Sequence, residues 1–91
     1  MIAPNNGAMD LAMKTKNELD QRVGERLRGR RLKMGLSQTE LGAAAGVSFQ
    51  QVQKYERGTN RISASRMIQF AEKLGVSAAY FVEGFDATRR P

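Results

Sequence analysis

Apolar residues recur every three or four positions along most of this chain, which is the spacing of one face of an α-helix. The longest such stripe comprises Leu19, Val23, Leu27 and Met34. No stretch shows the strict alternation of apolar and polar residues that is typical of a half-buried β-strand. The pattern therefore predicts an all-α protein.

Glycine and serine mark the ends of the periodic stretches. A glycine follows each amphipathic segment, as at helix C-caps, and a serine comes soon after most of these glycines, as at helix N-caps. The alternation predicts about five short helices. The glycines are Gly35, Gly46, Gly58, Gly75 and Gly84, and the serines are Ser37, Ser48, Ser63 and Ser77.

Local end signals give the boundaries of the first three helices. Helix 1 is predicted to begin near Asn17, a good N-cap, and to run to Met34. The segments "SQTE" (37–40) and "SFQQ" (48–51) are capping boxes. In a capping box the serine side chain accepts a hydrogen bond from the amide three residues later, and the side chain at that later position accepts one from the serine amide. They predict the starts of helices 2 and 3.

Two more helices are predicted towards the C-terminus. Helix 4 begins at about Ser63 or Ser65, and helix 5 is the short aromatic stretch "SAAYFVEGF" at 77–85. The residues expected to pack in the core from helix 4 are Met67, Ile68, Ala71 and Leu74.

The two ends of the chain lack this periodicity. The first segment, "MIAPNNGAMDLAMKTK", contains Pro4 and Gly7 and is predicted to be a flexible N-terminal arm at residues 1–16. The helices then form one domain at residues 17–85, and residues 86–91 form a C-terminal tail.

The chain is strongly basic. Its 91 residues include 15 Lys and Arg against 9 Asp and Glu and no His, which gives a formal net charge of +6 and a pI near 10.3. This balance favours an anionic partner, nucleic acid first, although charge alone does not separate DNA from RNA or from an anionic membrane surface. The length fits one small domain with a single core.

The same composition excludes several classes of protein. No Cys or His is present, and the sequence has neither a cluster of metal ligands nor a glycine-rich phosphate loop after a strand. We therefore expect no enzymatic activity, no cofactor and no metal site. A chain of 91 residues also leaves no room for a separate sensing domain, so no small-molecule ligand is expected.

Neither membrane insertion nor export is expected. No apolar run approaches the roughly 20 residues that a membrane-spanning helix requires. The first residues also lack the cationic start and apolar run of a secretory signal. The prediction is a cytoplasmic protein.

Helix 3 carries uncharged amides on the face opposite its apolar side. With a rotation of about 100° per residue, Val52 and Tyr55 fall on one side of the helix. A Gln side chain offers a donor and an acceptor together, which matches the edge of adenine in the major groove of DNA, and a Lys can donate to guanine or to a phosphate. The alternative is an ordinary solvated face. The residues of this face are Gln50, Gln53, Lys54 and Arg57.

Two small residues indicate that helices 2 and 3 cross closely. Gly42 lies inside the predicted second helix, where a glycine costs roughly 1 kcal/mol relative to alanine. Gly46 stands at the turn between the two helices. Close approach of two helices joined by a tight turn would offset that cost.

The segments "RRLKMGLSQTELGAAAGVS", "VQKYERG" and "MIQFAEKLGVS" together resemble the helix-turn-helix domains of the phage-repressor and Cro-like family. This family is also called the xenobiotic-response-element family of transcriptional regulators. The resemblance runs from about Val23 to Phe81. It implies a compact five-helix, lambda-repressor-like domain of a bacterial regulator, in which helix 3 (48–57) enters the major groove of double-stranded DNA.

The resemblance also implies which residues meet DNA. The residues expected to face the bases are Phe49, Gln50 and Lys54, with Gln53 beside them. Contacts to phosphates are expected from Gln38, Ser48, Arg57, Asn60 and Arg61. For Arg57, Asn60 and Arg61 the alternative is an ordinary solvated turn. In the family, Gln38 would also brace helix 3.

The resemblance also indicates an ion pair and one departure from the family. The resemblance pairs Arg31 with Glu56 in a partly buried ion pair that joins helices 1 and 3 and is structural. Phe49 departs from the family, where a hydrogen-bonding residue often stands. Its ring would either meet a thymine methyl group or pack against Ile62 and the edge of helix 2.

Regulators of this type read paired half-sites as dimers. We expect a homodimer on a palindromic operator. Phe81 should enter the core, which leaves Tyr80, Val82 and Phe85 as a possible dimer interface, unless they only complete a small core. The predicted function is a repressor, and the alternative is a protein-interaction module, an antitoxin or an adaptor, on the same helical scaffold.

Overall fold

The computed structural model describes the backbone of residues 4–84 and the side chains of residues 18–84. Four α-helices and a C-terminal 3₁₀ helix follow one another in this part of the chain, and none of its residues lies in a strand. The all-α prediction is therefore confirmed, with a 3₁₀ helix in place of helix 5. The elements are α1 (Pro4–Lys33), α2 (Gln38–Ala43), α3 (Phe49–Arg57), α4 (Ala64–Leu74) and the 3₁₀ helix η1 (Ala78–Val82).

Helix α1 is longer than the sequence pattern indicated. It begins at Pro4 rather than near Asn17 and so includes most of the segment interpreted as an arm. Proline is compatible with the first turn because an N–H there has no partner within the helix. The Ala, Leu, Met and Lys residues that follow are good helix formers. The division of the chain into arm, domain and tail stays a prediction.

The caps of α2 and α3 differ in one hydrogen bond. At α2 the Glu40 amide donates to Ser37 Oγ at 2.9 Å and the Ser37 amide donates to Glu40 Oε1 at 2.8 Å, so the capping box is confirmed. Hydrogen bonds to the Glu40 carboxylate from the Ser37 amide and, second, from the Ser37 hydroxyl group hold the pKa of Glu40 below its usual value. At α3 the Gln51 amide donates to Ser48 Oγ at 3.2 Å, and only this half of the predicted box is formed.

One core joins all five helices. Its centre is an edge-to-face contact between the rings of Tyr55 and Phe70, whose centroids lie 6.0 Å apart. Around this pair, α1, α2, the turn before α4 and η1 each contribute apolar side chains. The buried apolar residues are Val23, Leu27, Leu41, Val52, Tyr55, Ile62, Phe70, Ala71, Leu74 and Phe81.

Two residues predicted for the core lie at the surface. Ile68 is 52% exposed, and Phe70 takes the buried position on α4 instead. Phe70 lies four residues before Leu74 and so shares its face, whereas Ile68 follows Met67 and is rotated from it by about 100°. Met34 is also exposed, because α1 ends at Lys33 and the chain turns away.

Glycines allow the backbones around α3 to touch. A Cβ atom at Gly42 would collide with the carbonyl oxygen of Val47, which supports the interpretation of Gly42 as a close-approach residue. A Cβ atom at Gly24 would collide with the carbonyl oxygen of Tyr55 and lie 2.7 Å from that of Glu56. Helix α1 therefore supports the C-terminal end of α3 directly, backbone against backbone.

Within the described residues, no helix combines the length and the apolar character needed to cross a lipid bilayer.

Candidate nucleic-acid interface

The turn between α2 and α3 fixes how the two helices cross. Gly46 has a φ of 67°, in the left-handed region that favours glycine. The amide of Val47 then donates to the carbonyl oxygen of Gly42 at 3.0 Å, and the Val47 side chain packs against the core. Ser48 follows as the N-cap of α3. The backbone hydrogen bond from Val47 to Gly42 thus helps to fix the position of α3 relative to α2.

Helix α3 buries one side and exposes the other. Val52, Tyr55 and Glu56 are buried, so the helix is anchored along its inner face. Phe49, Gln50 and Lys54 are exposed, whereas Gln53 is half-buried at the edge of that face. The structure therefore brings the four predicted base-contacting residues to the outer surface or its margin.

Phe49 lies outside the core. The residue is 44% exposed and is not one of the buried residues that form the core. Ile62, the neighbour proposed from the sequence, is itself buried in the core. The first residue of α3 therefore presents an aromatic ring to solvent.

A buried ion pair ties α3 to α1. Nε of Arg31 lies 2.6 Å from Oε2 of Glu56, and Nη2 of Arg31 lies 3.1 Å from Oε1. The two side chains are 8% and 3% exposed. Nη1 of Arg31 also donates to the carbonyl oxygen of Leu36 at 2.8 Å. The pair expected from the resemblance is thus brought together in a bidentate geometry, and none of its buried nitrogen and oxygen atoms lacks a hydrogen-bond partner.

Gln38 extends this network to α2. Its side-chain Nε2 donates to Oε1 of Glu56 at 3.1 Å. An amide nitrogen carries two hydrogens, so a second donor remains on the half-buried Gln38 side chain. Gln38 therefore braces α3 through Glu56 and keeps a donor for an anion at the start of α2.

Arg57 and Ser48 lie at the two ends of α3. Arg57 is exposed and has no ion pair within residues 18–84. The hydroxyl oxygen of Ser48 accepts the Gln51 amide, and its own hydrogen is available for donation. Both residues can therefore donate to an oxygen anion without losing a protein partner.

Arg61 differs from the other candidate phosphate contacts. Its Nε and Nη2 atoms donate to the two carboxylate oxygens of Asp20 at 3.1 and 3.2 Å. These hydrogen bonds and the charge of Asp20 raise the pKa of Arg61. Asn60 beside it is exposed. The guanidinium group of Arg61 is therefore already paired with the Asp20 carboxylate. A phosphate would have to share this guanidinium group with Asp20 or displace the carboxylate.

The sequence interpretation missed Thr59. Its amide and its hydroxyl group both donate to the carbonyl oxygen of Lys54, at 3.0 and 3.1 Å. Gly58, with a φ of 77°, makes this reversal of the chain possible. Thr59 thus holds the loop that follows α3. The segment "ERGTNR" contained the signal, because a Thr just after a C-capping glycine can hydrogen-bond back to the helix.

Three arginines of α1 hold the C-terminal part of the domain, and the sequence interpretation missed them also. Nη2 of Arg22 donates to the carbonyl oxygen of Glu83 at 2.6 Å, and Nε of Arg30 donates to that of Leu74 at 2.9 Å. Between them, Nε of Arg26 donates to the carbonyl oxygen of Tyr80 at 2.9 Å. These guanidinium groups are occupied within the protein, so the net charge overstates the cations available to a partner.

The residues proposed for a dimer interface differ in how the structure places them. Tyr80 is half-buried and packs against the core, with the guanidinium carbon of Arg26 3.9 Å from its ring centroid. Val82 is exposed and lines a groove of about 130 Å³ together with Leu19 and Met67. Phe85 lies outside the described residues. Of the two that the structure describes, Val82 is the more exposed.

The family comparison identifies this part of the chain. A family model described as "Helix-turn-helix" matches residues 27–81, which include α2, the turn and α3. An uncharacterised HTH-type transcriptional regulator of Sinorhizobium medicae is 47% identical over 70 residues, which are 77% of this chain and 50% of that protein. An uncharacterised transcriptional regulator encoded in the ATPase CF(0) region of Rhodospirillum rubrum is 52% identical over 68 residues, 75% of this chain and 63% of that protein.

Solved structures show the same arrangement of helices. The clp gene regulator ClgR from Corynebacterium glutamicum matches with a TM-score of 0.68 and 30% identity, over 70% of this chain and 68% of that chain. The restriction-modification controller protein C.AhdI from Aeromonas hydrophila matches with a TM-score of 0.65 and 29% identity, over 68% of this chain and 94% of that chain. This chain spans about half the length of the Sinorhizobium relative.

Proposed function

The chain belongs to the helix-turn-helix family of transcriptional regulators of the xenobiotic-response-element type, and on this premise we propose that it binds a specific sequence of double-stranded DNA with α3 in the major groove. The membership confirms the family resemblance of the sequence. The observation that supports the function best is the outer face of α3. This face carries the exposed Gln50 and Lys54 on a helix whose opposite side is buried.

The chemistry of the outer face fits base recognition. The amides of Gln50 and Gln53 can each donate and accept in the plane of an adenine edge, and Lys54 can donate to guanine O6 or N7. Base recognition also requires a rigid support, because a helix that rocks by 1 Å loses its hydrogen bonds. The Arg31–Glu56–Gln38 network and the contact at Gly24 supply that support.

Phosphate contacts would fix the register of α3 in the groove. We assign them to the exposed donors that surround the helix, which would flank the base-contacting face. Arg61 would join them while still close to Asp20, and Gln38 would use its second amide hydrogen. The proposed phosphate contacts are Gln38, Ser48, Arg57, Asn60 and Arg61.

We further propose that the regulator acts as a homodimer on a palindromic operator and as a repressor in the cytoplasm of a bacterium. A single recognition helix of nine residues reaches too few base pairs for operator-grade affinity, and two copies related by a two-fold axis would double the contacts. The exposed apolar side chain of Val82 supports the dimer. A repressor is the simplest regulator of this kind, since it needs only to occupy its site.

Selection of bound duplexes from a random DNA pool tests this proposal. The salt concentration should be about 150 mM, where non-specific phosphate binding is weakened. The expected result is an enriched, roughly palindromic motif that Gln50→Ala binds more weakly, by about 1–3 kcal/mol. Sedimentation of the protein on that duplex should give two chains per site.

A selection that enriches no motif would have a definite meaning. If no motif is enriched by a folded protein, sequence-specific DNA binding is wrong. The interaction module, an antitoxin or adaptor, then becomes the better interpretation, and Gln50→Ala together with Lys54→Ala would leave binding to its protein partner intact. A chain that stays monomeric on an enriched duplex would refute the dimer alone.

A further inference from the structure

Phe49 is the exposed aromatic residue at the beginning of α3. The residue is 44% exposed, it follows the N-cap Ser48, and Gln50 beside it is exposed also. The N-terminal residues of a recognition helix are those that come nearest to base edges. An apolar ring at this position needs a partner of matching chemistry, because pressing it against a polar base edge would desolvate donors and acceptors without replacing their hydrogen bonds.

The major groove offers one apolar group that fits. Among the base edges only thymine presents a methyl group, at C5, whereas guanine, adenine and cytosine present donors and acceptors. We propose that Phe49 recognises the C5-methyl group of a thymine next to the base that Gln50 contacts. This inference rests on the proposed DNA binding. It adds which base Phe49 recognises, thymine, and which group of that base it contacts.

The same exposure argues against a structural role for the ring. Phe49 is not one of the buried core residues, and Val52 and Tyr55 anchor the same helix. Its replacement therefore should leave the domain folded. The discrimination it provides is expected to be modest, since burial of one methyl group against hydrocarbon changes a dissociation constant about fourfold.

The experiment is a double-mutant cycle between the protein and the DNA. On the duplex selected by the wild-type protein, each thymine is replaced in turn by deoxyuridine, which removes only the methyl group. Dissociation constants are measured for the wild type, Phe49→Ala and Gln50→Ala. We expect one thymine in each half-site at which deoxyuridine weakens wild-type binding about fourfold. Phe49→Ala should bind both duplexes equally, and Gln50→Ala should keep the fourfold difference.

The outcomes separate the inference from the function on which it rests. If a duplex is selected but every deoxyuridine substitution affects Phe49→Ala as much as the wild type, the methyl contact is wrong while DNA recognition stands. If the wild type does not distinguish any selected duplex from an unrelated one, both fail. A thermal melt of Phe49→Ala within a few degrees of the wild type ensures that lost discrimination is not lost folding.

Discussion

The contact between Gly24 and the end of α3 leads to a sharp prediction about stability. In Gly24→Ala the new methyl group would collide with the carbonyl oxygen of Tyr55 and lie 2.7 and 2.9 Å from the carbonyl oxygen and carbon of Glu56. These are backbone atoms, which cannot rotate aside as a side chain does. Helices α1 and α3 would have to separate, and the short hydrogen bonds between Arg31 and Glu56 would lengthen with them.

Two opposing terms set the size of the effect. Replacing a glycine by alanine inside a helix stabilises it by about 1 kcal/mol. Forcing an extra methyl group into a packed contact costs about 1–3 kcal/mol, and the rigid obstacle here favours the upper end. The net expectation is that Gly24→Ala lowers the free energy of unfolding by about 2 kcal/mol, which for a domain of this size lowers Tm by about 8–16 °C.

Gly29 supplies a matched control in the same helix. A Cβ atom at Gly29 would meet no atom within 4 Å, so Gly29→Ala retains the helical gain without the collision. We expect it to raise the free energy of unfolding by about 1 kcal/mol. Urea unfolding followed by circular dichroism measures both variants, with the m-value as a check that the unfolding reaction is unchanged. If Gly24→Ala proves as stable as Gly29→Ala, the close contact between α1 and α3 is wrong.

Three further predictions follow from the same structure. Glu56→Ala should destabilise the domain by about 3 kcal/mol in urea unfolding, because the buried Arg31 would lose its partner; an unchanged unfolding midpoint would contradict this. Since the pKa of Glu40 is lowered in the folded state, its contribution to stability is present above the unfolded value of 4.5 and is lost as the pH falls through the folded pKa. Thermal melts from neutral to acidic pH should therefore show a smaller acid loss for Glu40→Gln than for the wild type, and identical profiles would refute it. If Arg57 contacts a phosphate, Arg57→Ala should reduce the slope of log K against log salt by about one, whereas Arg57→Lys keeps it; an unchanged slope in Arg57→Ala would remove this residue from the interface.

Local signals in the sequence were sufficient for the starts of α2 and α3 and for the side of α3 that faces outward, but they placed the start of α1 too late. A cap such as Ser37 with Glu40 involves residues three positions apart, and the rotation of about 100° per residue places Val52 and Gln50 on opposite sides of one helix. Both features depend only on neighbouring residues. The family resemblance added the pairing of Arg31 with Glu56, which no local pattern contains.

The tertiary structure decided the features that depend on how the helices cross. Arg61 meets Asp20, and Arg22 meets the carbonyl oxygen of Glu83, across 41 and 61 positions of the chain. In the sequence these arginines look like free cations for an anionic partner. Gly24 likewise resembles any other helical glycine until Tyr55 lies against it. Composition and periodicity determine the number of basic side chains and the helix face on which each lies. The way the helices pack determines which of these side chains are paired within the protein and which stay free to contact DNA.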